Sequence, residues 1–222
     1  MERLRRESTD PAAELRQLVR RLEARHPSTH GHSRRVAALA AAIATELGLA
    51  EGTVARIRTA ALLHDVGKTE VPAEIVDKPA PLSAAEYATI RRHAEGGARM
   101  VEALADPAVT AIVRHHHERF DGDGYPSGLC NYEIPLGARI VAVADTFDAL
   151  TSPRPYRPAM SERRALGLLE DAAGSQLDPT VVAVALRLAA PRRRRRRLGR
   201  FATPSGSGRA AAPAPPARPL RG

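Results

Sequence analysis

The sequence lacks tryptophan, and aromatic residues make up only 3% of its 222 residues. Its single cysteine, Cys130, cannot form a disulfide within the chain and fits a reducing environment. No apolar run approaches the roughly 20 residues needed to cross a membrane, and the charged N-terminus has no apolar core of signal-peptide length. These absences predict a cytoplasmic protein without a membrane span, with a core of Ala, Leu, Val and Ile.

Basic residues are in excess, with 34 Lys and Arg against 25 Asp and Glu. Ten of the arginines lie in residues 191–222, which contain no acidic residue. Without those ten, 24 basic residues stand against 25 acidic ones, a net charge of −1, so the basic excess belongs to this segment. Its Arg, Ala, Pro and Gly content predicts a disordered basic tail. The tail either contacts RNA, DNA or anionic lipid without specificity or is a neutral extension.

Apolar residues recur at helical spacing along most of the chain, and no long stretch alternates at the period of a strand. The sequence therefore predicts an all-α fold, a helical bundle, and the absence of internal repeats leaves it as one unit. The predicted helices cover 11–25, 32–47, 51–66, 73–76, 83–104, 107–116 and 135–150, with two more starting at Ser161 and Asp178 and a structured loop over 118–133. The predicted organisation is an N-terminal amphipathic helix within 1–28, a main domain over 29–190 and the tail 191–222.

Histidines and aspartates fall on the inward faces or at the ends of five predicted helices. These residues are His32, His64, Asp65, His93, His116, His117 and Asp145. An ionisable side chain on an apolar helical face is costly unless it is paired. A lone inward histidine is most often a satisfied core residue, but so many converging imidazoles and carboxylates predict a shared cation. Mixed nitrogen and oxygen ligands favour Fe, Mn or Zn over Ca or Mg.

The adjacent pair His116 and His117 bears on the number of ions. Two neighbouring residues of a helix point about 100° apart, so the pair is predicted to face two neighbouring ions rather than one. Paired ions suit phosphoryl chemistry, because together they activate water and stabilise charge on the phosphate oxygens. The preceding His115 points elsewhere and is not predicted to be a ligand.

Seven sequence blocks resemble the HD-GYP branch of the HD-domain phosphohydrolases over about residues 29–185. The most specific are the HDxGK string at 64–68 and the HHExxDGxGYP string at 116–126. The blocks are THGHSRRV (29–36), ALLHDVGK (61–68), RRHAEGG (91–97), HHERFDGDGYPSGL (116–129), RIVAVADTFDALTS (139–152), RPYR (154–157) and GSQLDP (174–179). Their number and order make an accidental match implausible.

The resemblance implies an all-helical fold around two or three metal ions, usually iron or manganese. It implies hydrolysis of cyclic di-GMP to pGpG, often continuing to GMP. By position, the seven histidines and aspartates named above become the metal ligands, and Asp65 becomes the carboxylate that bridges the ions. The implied substrate contacts are Lys68, Arg154 and Arg157 on phosphates and the loop residues Asp121, Gly122, Gly124, Tyr125 and Pro126 around the pocket. Spacing alone favours solvated surface charges for the three basic residues, so their role as phosphate contacts depends on the resemblance.

Three positions depart from the family pattern. Ser28 stands where trinuclear members carry a glutamate, which favours two ions. His26 replaces a residue that is often acidic, and Pro153 replaces a frequent aspartate. No ligand position is lost, so the expected function is that of a cyclic di-GMP phosphodiesterase.

Two other functions stay open on the sequence. One is a non-catalytic module that senses cyclic di-GMP or docks onto a signalling protein. The other is a hydrolase of a different cyclic dinucleotide or nucleotide, because the GYP loop does not separate guanine from adenine. With only about 28 residues before the main domain, regulation is expected from a partner protein or from a homodimer formed through helix 11–25.

Overall fold

The computed structural model describes residues 11–25, 31–153 and 158–190, and the regular secondary structure in these ranges is helical. The helices are α1 (Pro11–Arg25), α2 (His32–Glu46), α3 (Glu51–Leu63), α4 (Ala73–Val76), α5 (Ala84–Arg91), α6 (His93–Val101), α7 (Pro107–His115), α8 (Leu136–Thr151), α9 (Glu162–Asp171) and α10 (Pro179–Ala189). Short 3-10 helices cover Val66–Glu70, Glu102–Leu104 and Asn131–Glu133. The described ranges contain no strand, only an isolated bridge between Ala173 and Leu177. The prediction of an all-α fold is confirmed.

Several sequence predictions concern residues outside the described ranges. These are the altered family positions His26 and Ser28, the phosphate contacts Arg154 and Arg157, and the basic tail 191–222. A compact unit of the chain ends at Ala189.

Small side chains at the centre of the bundle replace the missing aromatics. α2 packs against α3 and α8, and Ala40, Ala60 and Ala144 are fully buried on these three helices. Alanine lets helix axes approach closely, while Ile43 and Leu63 fill the remaining space. The core thus brings α2, α3 and α8 side by side, and these helices carry or precede several of the predicted ligands.

The apolar face of α1 is used within the chain itself. Leu18 and Leu22 are 3% and 1% exposed, and the helix packs against the 3-10 helix Val66–Glu70. Leu18 belongs to the main hydrophobic core. This face is therefore largely covered, and nothing in the described residues supports its prediction as a dimer surface.

The helix predicted over 83–104 is divided in two at Arg92. The Arg92 N–H bonds to the carbonyl of Thr89 at 3.2 Å, a tighter turn than an α-helix makes. The Ile90 carbonyl accepts the Nδ1–H of His93 at 2.5 Å. A side chain thus competes for a carbonyl that a continuous helix would use, and His93 begins α6 instead of lying inside a longer helix.

The longest described helix is α8, with 16 residues. Among the described residues, no helix combines the length and the apolar character that crossing a membrane requires.

Asp106 caps α7, the helix that leads to His116 and His117. Its Oδ1 accepts the N–H groups of Ala108 and Val109 at 3.0 and 3.3 Å, and its Oδ2 accepts from Arg56 at 2.9 Å. Burial would raise the pKa of Asp106, but these hydrogen bonds outweigh it and lower the pKa. Its contribution to stability is therefore complete above about pH 4 and is lost as the pH falls through the lower folded-state pKa.

Removing this cap is expected to destabilise the fold measurably. Asp106→Ala should lower the free energy of unfolding by about 1 kcal/mol, since two helix N–H groups lose their acceptor. Asp106→Asn is the matched control, because asparagine caps about as well as aspartate. Urea unfolding at pH 7 measures both variants. Equal losses in the two variants would contradict the role of the cap.

Candidate metal centre

Three of the predicted ligands share one local geometry. His64, His93 and His116 each stand where a helix ends or begins, and each Nδ1 bonds the backbone carbonyl three residues earlier, at 2.8, 2.5 and 2.7 Å. A carbonyl accepts a hydrogen bond, so Nδ1 carries the proton in each ring. The lone pair is therefore on Nε2, and the backbone fixes both the tautomer and the direction of the ring.

The seven predicted side chains are brought together in two groups. Within each group, one ligand atom per residue lies within 4.8 Å of the others. The first group is Asp65, His93, His116 and His117, and the second is His32, His64 and Asp145. Residues 113 positions apart in the chain thus meet at one place, supplied by five different segments of the bundle.

Asp65 faces both groups with different oxygens. Its Oδ1 is 3.5 Å from the Nε2 of His93, while its Oδ2 is 3.5 Å from the Nε2 of His64 and 4.0 Å from that of His32. The carboxylate is only 2% exposed. Burial would raise the pKa of Asp65, but the Lys68 ammonium 2.7 Å away and the surrounding histidines together outweigh it and hold the pKa well below its ordinary value. This is the placement expected of a bridging carboxylate.

The first group keeps its imidazoles neutral. Burial lowers the pKa of His93 to about 4 and that of His117 to about 3, and it holds the pKa of His116 well below its ordinary value. Neutral imidazoles offer their lone pairs to a cation at pH 7. Protonated ones would repel it.

Two features of these side chains fit a bound cation. The Nε2 of His64 is buried and has no hydrogen-bond partner among the described residues. The Nε2 atoms of His93 and His116 lie 3.4 Å apart, although both Nδ1 atoms are already bonded to carbonyls, so two lone pairs face each other. An unpaired buried nitrogen costs about 1–3 kcal/mol. A transition-metal ion would satisfy all three nitrogens.

His116 and His117 do not diverge as their spacing in a helix predicted. Their ring centroids are 4.0 Å apart, and both belong to the first group. The reason is that α7 ends at His115, so His116 caps the helix and His117 lies in the turn beyond it. The angle of 100° applies only inside a helix. The indication of two ions therefore comes from the two groups that share Asp65, and not from this pair.

Asp148 is a part of the site that the sequence reasoning missed. Its Oδ2 lies 2.7 Å from the Nδ1 of His32, and Arg35 holds the same carboxylate at 2.6 and 3.0 Å. Burial would raise the pKa of Asp148, but hydrogen bonds from His32 and Arg35 lower it to about 2. Burial likewise lowers the pKa of His32, yet its bonds to Asp145 and Asp148 raise it to about 9. Asp148 thus turns the His32 Nε2 towards Asp145, 3.2 Å away.

Neutralising Asp148 is expected to weaken metal binding at the second group. A carboxylate behind a metal-ligating histidine typically contributes about ten- to a hundredfold in affinity. Asp148→Asn should therefore lower the affinity for one ion by that factor, measured by metal titration and by elemental analysis after dialysis. Asp171→Asn, at an exposed aspartate at the end of α9 that belongs to neither ligand group, should change little. Unaltered metal affinity in the Asn variant would contradict the orienting role.

Lys68 lies beside the cluster, as the sequence predicted. Its ammonium contacts the Oδ2 of Asp65 and is 21% exposed. It also lines an apolar groove of about 520 Å³ with Ile75, Val76 and Ile90. Lys68 thus stands between the candidate metal ligands and a concave surface, where a phosphate contact is feasible.

The loop that follows His117 is held by its own contacts. The Asp121 carboxylate accepts hydrogen bonds from Arg119 at 3.0 and 2.5 Å and from a backbone N–H, and these contacts hold the loop in shape. Its role in substrate binding stays a prediction. Gly122 has φ of 90°, which only glycine adopts easily. A Cβ on Gly124 would lie 2.3 Å from the backbone nitrogen of Arg119, so only glycine fits there.

Tyr125 is the loop residue that reaches the cluster. Its ring lies 4.8 Å from that of His117, tilted by 32°, and its N–H bonds the His117 carbonyl at 3.2 Å. Burial raises the pKa of its phenol above the ordinary value. Pro126 follows through a cis peptide bond. Buried Glu118, another residue not predicted, anchors the loop by accepting the Ser127 N–H at 2.7 Å.

Comparisons with known proteins agree with this arrangement. The profile of the HD-domain family matches residues 16–181. The chain is 40% identical over 169 residues to a cyclic di-GMP phosphodiesterase of Thermotoga maritima, covering 75% of this chain and 46% of that protein. It is 40% identical over 159 residues to the 3'3'-cGAMP-specific phosphodiesterase 3 of Vibrio cholerae, covering 71% of this chain and 35% of that protein. The chain thus spans less than half the length of these curated relatives.

Solved structures give the same picture. A cyclic GMP-AMP-specific phosphodiesterase of Vibrio cholerae aligns with a TM-score of 0.52 and 32% identity, over 81% of this chain and 41% of that one. The protein Bd1817 of Bdellovibrio bacteriovorus aligns with a TM-score of 0.59 and 23% identity, over 71% and 51%, which supports the fold alone.

The helical bundle carries a buried cluster of histidines and aspartates, and the profile match assigns it to the class of HD-domain proteins. The chain belongs to the HD-domain family, and within it to the HD-GYP branch that its motifs indicated.

Proposed function

We propose that this chain is a phosphodiesterase that hydrolyses cyclic di-GMP to pGpG, GMP or both, using two divalent transition-metal ions, iron or manganese. The observation that carries the proposal is the pair of ligand groups that share Asp65. Two groups with a carboxylate between them suit two adjacent ions, and two ions suit attack on a phosphodiester.

The ligands in this proposal are the seven side chains of the two groups. His32, His64 and Asp145 would hold one ion, His93, His116 and His117 would hold the other, and Asp65 would contribute to both. When bound, the ions supply Lewis acidity towards the phosphate and activate water. Asp148 orients His32 through the hydrogen bond described above. The nitrogen-rich donor set favours Fe, Mn or Zn over Mg, and the family favours the first two.

Substrate binding is assigned to surfaces that adjoin the cluster. A cleft of about 450 Å³ opens beside it, lined by His116, His117, Asp145 and, further out, Thr146 and Gln176. This volume suits a small-molecule ligand. In the proposal, Lys68 positions a phosphate, and Tyr125 with its neighbours Gly124 and Pro126 shapes the pocket wall. Arg154 and Arg157 stay predictions, since they lie outside the described residues.

A second substrate deserves the same test. Some curated relatives are named cyclic di-GMP phosphodiesterases, and others are named 3'3'-cGAMP-specific phosphodiesterases. Their sequence identities to this chain are comparable. Both molecules are cyclic dinucleotides and differ in one base. The candidate metal centre treats their phosphodiesters alike, so the choice between them depends on contacts to the bases.

The experiment is turnover by the purified full chain after anaerobic reconstitution with Fe(II) or Mn(II). Cyclic di-GMP and 3'3'-cGAMP are supplied separately, and the linear products are resolved by chromatography. Metal-dependent appearance of pGpG or GMP supports the proposal. Nucleotide binding without turnover would favour a sensor, while neither binding nor turnover would point to a different nucleotide substrate.

A further inference from the structure

Beside the metal centre, a guanidinium and two tyrosine rings form a short stack. The Cζ of Arg91 lies 4.6 Å from the ring centroid of Tyr125 and 5.9 Å from that of Tyr87. Tyr125 in turn lies against His117, a candidate metal ligand. Arg91 is the last residue of α5. Only the ring of Tyr125 separates its guanidinium from the candidate ligand His117.

The guanidinium donors of Arg91 have no acceptor in the part of the chain that the structure describes. Within the described ranges, its guanidinium makes no hydrogen bond and no ion pair, only the two ring contacts. Seven other arginines there are each paired with a carboxylate: Arg34, Arg35, Arg56, Arg99, Arg114, Arg119 and Arg139. Contact with Tyr125 limits the orientations of the plane while leaving its N–H edge exposed. The guanidinium therefore offers N–H donors in a fixed geometry to a ligand.

Tyr87 adds a surface for a flat ligand. It is 50% exposed, one of the few large apolar side chains of the described residues that faces solvent. One helical turn separates it from Arg91, so both project from the same side of α5. An exposed aromatic face stacks on any base, because every base has a π-face.

The hydrogen-bond donors of the Arg91 guanidinium favour guanine over adenine. Guanine presents two acceptors side by side, O6 and N7, which match a guanidinium in bidentate fashion. Adenine presents N7 beside the N6 amino group, which is a donor and repels a second N–H. The rim formed by Arg91 and Tyr87 adjoins the candidate metal centre through the ring of Tyr125.

We propose that Arg91 and Tyr87 form a purine subsite beside the metal centre, in which Tyr87 stacks on the base and Arg91 selects guanine over adenine. The proposal rests on the proposed function for its substrate class. It adds a specificity-determining residue to the rim of the site, on a helix that supplies none of the metal ligands.

The test measures equilibrium binding of GMP and AMP to the metal-loaded full chain, and kcat/KM for cyclic di-GMP and cyclic di-AMP. The parent is expected to bind GMP about tenfold more tightly than AMP, the lower range for one bidentate contact. Arg91→Ala and Arg91→Lys should bring that ratio close to one, since lysine keeps the charge but not the fixed donor geometry. Tyr87→Ala should weaken both nucleotides alike, by about tenfold.

Arg92→Ala is the matched control, an exposed arginine one position along that makes neither ring contact, and it should keep the parent's ratio. Metal content and thermal unfolding show that each variant is folded and loaded. A parent that binds GMP and AMP equally, or an Arg91→Lys variant that keeps the full preference, would overturn the proposal. Binding of GMP and AMP requires no turnover. If hydrolysis is absent, the proposed function is rejected, but the ratio of GMP to AMP affinity still decides the role of Arg91.

Discussion

Asp65→Asn is expected to abolish hydrolysis of cyclic di-GMP, with kcat falling on the order of a thousandfold or more. The amide keeps the shape of the carboxylate but loses the negative charge that faces both ligand groups. Elemental analysis should find two ions in the parent, as the proposed function requires, and one or none in the variant. Both losses are expected in the same variant, because one side chain serves both groups.

The size of this effect follows from where the charge lies. Asp65 is 2% exposed, and its two oxygens lie 3.5 Å from the Nε2 atoms of His93 and His64. Five histidines in the two groups contribute no negative charge, so Asp65 and Asp145 alone offset the charge of any bound cations there. In a buried site such charge compensation is worth far more than at the surface. Lys68 would also lose its partner at 2.7 Å.

The matched control for this prediction is Asp171→Asn. Asp171 is an exposed aspartate at the end of α9 and belongs to neither ligand group. It should retain the parent's activity and metal content. Thermal unfolding of the metal-free proteins checks that both variants are folded. An Asp65→Asn variant with activity within tenfold of the parent would contradict the bridging role.

Most of the site could be predicted because its residues occupy conspicuous positions in helices. His32 begins a helix with Val36 on its buried face, and Asp145 lies in the middle of an apolar helix. Ionisable groups at such positions need a common partner, and the HDxGK and HHExxDGxGYP strings associate that need with one family. The structure brings these side chains together, while their role as ligands stays a prediction that metal analysis tests.

The features that were missed depend on contacts between distant segments. Asp148 lies one turn after Asp145 and carries the same signal, a carboxylate on an apolar helix, but its partner His32 is 116 residues away. The break at Arg92 arises because a side chain takes a backbone carbonyl, which helical periodicity does not report. The contact of Arg91 with Tyr125 joins a helix and a loop that are distant in the sequence, so helical periodicity does not predict it.

Gly67→Ala is expected to be among the most destabilising single-methyl changes in the chain. A Cβ on Gly67 would lie 2.1 Å from the carbonyl oxygen of His93 and 2.5 Å from the nitrogen of Gly97. Both atoms belong to the backbone of α6, so no side chain can rotate away. The loss in free energy of unfolding should be about 3 kcal/mol or more, the upper range for overpacking. Urea unfolding in the presence of a chelator measures it without the contribution of metal.

This clash explains why the residue just before Lys68 is glycine. The 3-10 helix Val66–Glu70 packs directly against α6, and the close approach at Gly67 sets how far His93 lies from Asp65. Forcing the two segments apart should therefore lower metal affinity as well as stability. Gly167→Ala is the matched control, because a Cβ there meets nothing within 4 Å, and alanine in a helix interior should stabilise by about 0.5–1 kcal/mol. If Gly67→Ala unfolds at the same urea concentration as the parent, the close approach of α6 does not determine the geometry of the centre.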